Sequence, residues 1–104
     1  MDYRSDERRA EKRIPYITEA MLEGTRSLSN RISDLSASGA FIETINAALV
    51  GSVFGLHFNV RGSQIRVTAE VRYSMPQIGM GVRFLDLNHE DRALIERLVL
   101  EQSK

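Results

Sequence analysis

The chain has 104 residues, with 14 Lys and Arg balancing 14 Asp and Glu, and 42% of its residues are hydrophobic. That length holds one modest core, and zero net charge excludes a global field drawing in nucleic acid or anionic lipid, so any anion site must be local. Cysteine is absent, which removes disulfides, thiolate nucleophiles and Cys-ligated zinc and fits a reducing compartment.

Met1 to Arg13 is a mixed-charge arm with one aromatic, Tyr3. It has no apolar stretch of the signal-peptide kind, and nowhere does an apolar run approach the length of a membrane span. A soluble, cytoplasmic domain without membrane insertion is expected. The arm cannot bury itself and reads as a flexible lead-in or a short solvated helix, closed by Pro15.

From Tyr16 the pattern changes to strands. Tyr16 to Glu23 is an untidy first strand, and Ser27 to Ile32 is a polar candidate for a second. Asp34 to Gly39 (DLSASG) reads as a turn, because Asp and Ser bond nearby backbone and Gly is permissive. Ala40 to Thr44 is a short strand. In Val53 to Val60, the residues Phe54, Leu56, Phe58 and Val60 share one face. Gln64 to Tyr73 alternates strictly, with Ile65, Val67, Ala69, Val71 and Tyr73 on the apolar side. Arg61-Gly62 between these two runs predicts a hairpin. Met75-Pro76-Gln77 interrupts, and Gly79 to Leu85 resumes with Met80, Val82 and Phe84 on one face. Asn88 then looks like a helix N-cap with Asp91 at N3, ahead of the apolar stripe Leu94, Ile95, Leu98 and Val99. Consecutive strands followed by one amphipathic helix indicate an antiparallel sheet or small barrel with a helix plugging or flanking it.

Few residues offer chemistry. Arg9 and Arg13 are spaced i, i+4 on the arm. Glu7 and Glu11 can neutralise them, leaving only a solvated charge run. In a site, the planar guanidinium grips phosphate bidentately, stacks on bases and fits the guanine O6/N7 edge. Asp34 is an acceptor-only carboxylate suited to guanine N1–H and N2–H, and the Ser36 hydroxyl donates to O6, N7 or phosphate. Gly39 permits a sharp turn or close ligand approach. Read without a ligand, the same six residues are a generic turn.

Together, RxxxR at Arg9 and Arg13, DxSxxG at Asp34, Ser36 and Gly39, and Gly79-Met80-Gly81-Val82-Arg83-Phe84 before a terminal helix resemble the PilZ domain family. The resemblance covers almost the whole chain. It implies a mainly all-β fold, a six-stranded antiparallel barrel with a C-terminal α-helix and a flexible N-terminal arm. The chain would then be one PilZ domain over 1–104, with the arm at 1–13, the barrel at 14–86 and the helix at 88–102. It also implies binding of cyclic di-GMP, as a monomer or an intercalated dimer. Arg9 and Arg13 would meet phosphates and guanine edges, Asp34 and Ser36 would read guanine, and Gly39 would shape the turn. Arg8 would help neutralise the extra phosphates of a dimer. The liganded arm and barrel would regulate an unidentified effector protein in trans, in motility, biofilm or exopolysaccharide processes.

Other readings are weaker. A PilZ-fold adaptor that ignores the nucleotide would tend to lack the motifs. An RNA- or single-stranded-DNA-binding barrel needs aromatics interleaved with basic residues, whereas Phe54, Phe58 and Tyr73 share faces with aliphatics. An enzyme needs a metal cluster or an acid–base pair, and neither is visible. Asp86, His89, Glu90 and Asp91 sit at a helix start, where acidic residues complement the dipole. Gly79-x-Gly81 lacks the strand–turn–helix setting of a nucleotide fingerprint and marks close backbone packing instead. His57 lies opposite the apolar side of its strand, as a surface or rim residue. No cofactor is expected.

Overall fold

The computed structural model describes residues 12–24 and 30–102. Six strands form, β1 Ile14–Leu22, β2 Arg31–Leu35, β3 Gly39–Glu43, β4 Val53–Val60, β5 Ser63–Met75 and β6 Gly79–Phe84, and one helix follows, α1 His89–Gln102. Every pairing is antiparallel, and the order β1-β2-β3-β6-β5-β4 closes on itself as a barrel. The expected barrel with a terminal helix is what the chain adopts.

The alternation seen in the sequence sets the inside. Leu56, Phe58 and Val60 of β4, Ile65, Val67, Ala69 and Val71 of β5, and Met80, Val82 and Phe84 of β6 are all buried. They share one core cluster with Ile32 and Leu35 of β2, Ala40 and Ile42 of β3, and Ile95, Leu98 and Val99 of α1. Phe58 and Phe84 stack within it, with ring centroids 5.8 Å apart.

The turns follow their residues. Arg61 and Gly62 both have positive φ, 52° and 84°, as a two-residue type I′ hairpin requires. Arg61 is held in that unusual region from two sides: its backbone N–H donates to the Tyr16 hydroxyl at 3.3 Å, and its guanidinium pairs with Glu101 of α1. Between β5 and β6, Pro76 is followed by Gln77 at φ 67°, and Ile78 N–H donates to Met75 C=O at 2.9 Å, the pattern of a type II turn. Asn88 caps α1: its side chain accepts from Asp91 N–H at 2.8 Å and donates to the Asp91 carboxylate at 3.1 Å.

Several boundaries differ from the sequence reading. β1 begins at Ile14, so Pro15 lies inside a strand, next to a break in register between Pro15 and Thr18. β2 begins at Arg31 and runs through Asp34 and Leu35, so these two belong to a strand and the turn is only Ser36 to Ser38. Of the expected second strand, 27–29 lie outside the described residues. Tyr73 is not in the core: the ladder slips between Val71 and Tyr73, which turns Tyr73 outward and leaves it 45% exposed. His57 faces outward, its Nε2 2.7 Å from Glu23 Oε2.

Two glycine contacts decide how closely strands and rings approach. A Cβ on Gly39 would overlap the backbone carbonyl of Val82, while one on Gly81 would overlap the ring of Tyr73. Overpacking typically costs about 1–3 kcal/mol. Backbone cannot yield as an exposed ring can, so Gly39→Ala is expected near the top of that range and Gly81→Ala near the bottom, as read by urea unfolding.

Asp86 fastens the exit from β6. Thr68 donates its backbone N–H to one carboxylate oxygen at 2.7 Å and its hydroxyl to the other at 2.9 Å. These bonds, the backbone one first, hold the Asp86 carboxyl below the usual Asp range. A carboxyl lowered in the folded state stabilises above its unfolded pKa of about 3.9 and loses that contribution as pH falls through the folded value. Asp86→Asn is therefore expected to lower the melting temperature at pH 7, and the gap to the parent protein should narrow steadily below about pH 4.

Candidate functional site

Arg13 stands one residue before β1. Register places Ile14 opposite Leu35 and Pro15 opposite Asp34, so the arm's last arginine meets the end of β2. Arg13 Nη1 donates to Asp34 Oδ1 at 2.5 Å, with both side chains partly open to solvent (44% and 38%). Asp34 itself sits at an irregularity: Ile32 pairs with Ile42 but Asp34 pairs with Phe41, so Ser33 is an extra residue. That bulge directs Asp34 outward while Leu35 stays buried.

Ser36 is built into the β2–β3 turn. It is 1% exposed, and its hydroxyl oxygen accepts from the backbone N–H of Ser38 at 3.2 Å and of Gly39 at 3.1 Å. The Gly39 carbonyl, 3.3 Å from that hydroxyl, also takes the Ser36 N–H at 2.9 Å. The Ser36 side chain thus ties the β2–β3 turn from within. Ser38 C=O accepts from Phe84 N–H at 2.8 Å, which anchors the turn to β6. Gly39 serves the close crossing of β3 over β6 at Val82 rather than a left-handed turn. Of the candidate residues, Arg13 and Asp34 touch, and Ser36 and Gly39 brace the turn behind them. Arg8 and Arg9 lie outside the described residues.

The outer face beside Asp34 carries residues that the motif reading passed over. Register runs Pro15, Asp34, Phe41, Gly81, Tyr73 across β1, β2, β3, β6 and β5. Phe41 and Tyr73 stack at 6.1 Å between centroids with planes 26° apart. Glycines beneath make room: a Cβ on Gly79 would meet the Phe41 ring, and one on Gly81 the Tyr73 ring. The Gly-x-Gly of β6 is thus a seat for two aromatic rings. One outward row further, Arg83 lies opposite Gly39 and Glu70 and reaches Glu70 at 3.4 Å. The outward direction of Phe41 was legible, because Ala40 and Ile42 flank it on the apolar side. That of Tyr73 was not, because it depends on the β5 bulge.

This surface combines a half-exposed carboxylate with two acceptor oxygens, a stacked pair of aromatic rings and two arginines. Such a set suits a planar base attached to an anionic group. Among the described residues no group of His, Asp and Glu gathers as metal ligands would, and no helix is long and apolar enough to cross a membrane.

Comparison with known proteins agrees with the fold. The inhibitor of motility MotI/DgrA of Bacillus subtilis superposes with a TM-score of 0.82 at 14% identity, over 92% of this chain and 51% of that one. The chain therefore spans about half the length of that protein. The PilZ domain of CeSA from a cellulose-synthesizing bacterium superposes with a TM-score of 0.58 at 18% identity, over 89% of this chain and 99% of that one. No curated protein matches the sequence. The family model for the PilZ domain matches residues 7–101, nearly the whole of a chain that closes into a six-stranded barrel, and the chain therefore belongs to the PilZ domain family, a family of cyclic di-GMP receptor domains.

Proposed function

We propose that this chain binds cyclic di-GMP on the outer face of the barrel beside Asp34 and that the liganded surface regulates a partner protein in trans. The observation that carries the reading is the meeting of the two motifs: Arg13 of RxxxR contacts Asp34 of DxSxxG although they are 21 residues apart. Arg9 and Arg13 take the phosphates and a guanine edge, and Asp34 accepts guanine N1–H and N2–H. Ser36 and Gly39 position Asp34 by fixing the turn, a role that replaces direct contact for Ser36. Tyr73, with Phe41 behind it, offers a stacking platform, and Arg8 serves a second ligand if an intercalated dimer binds. The domain is then one unit, with an arm at 1–13, a barrel at 14–86 and a helix at 88–102. Each charge-assisted bond to the ligand contributes about 1.5–3 kcal/mol.

One observation favours a second reading. Leu49, Val50 and Val53 stand 81%, 63% and 55% exposed on and beside the β3–β4 connection, an apolar surface suited to protein contact. A PilZ-fold adaptor that works without nucleotide would use such a surface alone.

Isothermal calorimetry with cyclic di-GMP separates the two. Micromolar or tighter binding is expected, near one ligand per protein for a monomer and near two for the stacked form. No heat at any temperature would leave the adaptor. Arg13→Ala and Asp34→Ala should each weaken binding at least about tenfold, the loss of one charge-assisted bond. Tyr73→Ala should cost a smaller factor, in keeping with about 1–3 kcal/mol for base–aromatic stacking. Cyclic di-AMP, whose adenines lack the N1–H and N2–H donors, should compete poorly with the parent protein, and equal competition would remove the role given to Asp34.

A further inference from the structure

We propose that the Arg13–Asp34 ion pair is an internal competitor that makes the site demand a ligand carrying a guanine edge and a phosphate together. The inference rests on the cyclic di-GMP reading above. The guanine edge offers a carboxylate two adjacent N–H donors, and a guanidinium offers the same arrangement with a positive charge. Arg13 thus takes one of the two Asp34 oxygens that a guanine edge would use, Nη1 to Oδ1 at 2.5 Å, and it is the hydrogen-bond partner of that carboxylate among the described residues. A neutral guanine can displace it only by exchanging an ion pair for an ion–dipole contact. A ligand that also brings a phosphate gives Arg13 another anion, so both exchanges proceed together. The Ser36 turn keeps Asp34 in place throughout, because its bonds run to Ser38 and Gly39 and none to Asp34. Both side chains of the pair are partly exposed, and exposed pairs are worth at most about 1 kcal/mol, a factor of about five. The device therefore sets selectivity rather than blocking the site.

The test compares guanosine, which has no phosphate, with cyclic di-GMP on the parent protein and on Arg13→Gln, following the amide resonances of residues 34–39 by NMR. Arg13→Gln is expected to tighten guanosine binding about two- to fivefold while weakening cyclic di-GMP at least about tenfold. The opposite signs are the signature. Guanosine affinity that is unchanged or lower in Arg13→Gln, or undetectable in both proteins, overturns the internal competitor and leaves the cyclic di-GMP reading intact. Cyclic di-GMP affinity unchanged by Arg13→Gln instead removes Arg13 from the binding site, which is the failure of that reading. The dispersion of the amide spectrum verifies that the variant is folded.

Discussion

Closing six strands into a ring is the constraint from which the rest of this molecule follows. Each strand is hydrogen-bonded on both sides, so no edge is left to pair with another chain. The narrow interior must be filled by side chains from every strand, which fixes the inward positions as Ile, Val, Leu, Ala, Phe and Met. Closure also forces two strands distant in sequence to cross tightly. β3 and β6 do so at Gly39, where only hydrogen fits against the Val82 carbonyl. A residue that looks like turn chemistry is thus a requirement of the barrel, and the turn preceding it is left to be organised by the buried hydroxyl of Ser36.

With the interior committed to packing, function is confined to the outside. The outer row from Pro15 to Tyr73 is where the ladders of β1, β2 and β5 lose register. Each irregularity releases a side chain from strict alternation. Asp34 and Tyr73 therefore reach the same face while their neighbours Leu35 and Val71 remain inside. Arg13 enters from just ahead of the start of β1 and meets Asp34 on that face.

Much of this was legible in the sequence, for identifiable reasons. β4 and β5 alternate because each has one wet face, β6 because glycines under two aromatic rings alternate with Met80 and Val82, and the helix announces itself with Asn88 and Asp91. The pattern offered six candidate strands but ended the second at Ile32, since β2 carries Arg31, Ser33 and Asp34 in five residues and its second half looks like a loop. Its strand character comes from pairing with β1 and β3, a tertiary effect that local composition does not register. The motif residues were found by spacing, but their division of labour was not. That Ser36 faces inward and Asp34 outward depends on Ser33 being an extra residue opposite Phe41, and nothing in the local composition marks it.

The bulge in β5 can be read as a shift of frame. Up to Val71 the odd-numbered residues face the core, and from Tyr73 onward they face solvent, with Tyr73 opposite Gly81 and Met75 opposite Gly79. What places the aromatic ring on the outer wall is therefore the slip of the ladder at Arg72, not the identity of the ring. Closing the bulge with Arg72 kept in the ladder would restore uninterrupted alternation and send Tyr73 inward against a filled core. The platform thus hangs on a one-residue slip between two strands, and re-pairing β5 with β6 by a single step would abolish it without changing any side chain.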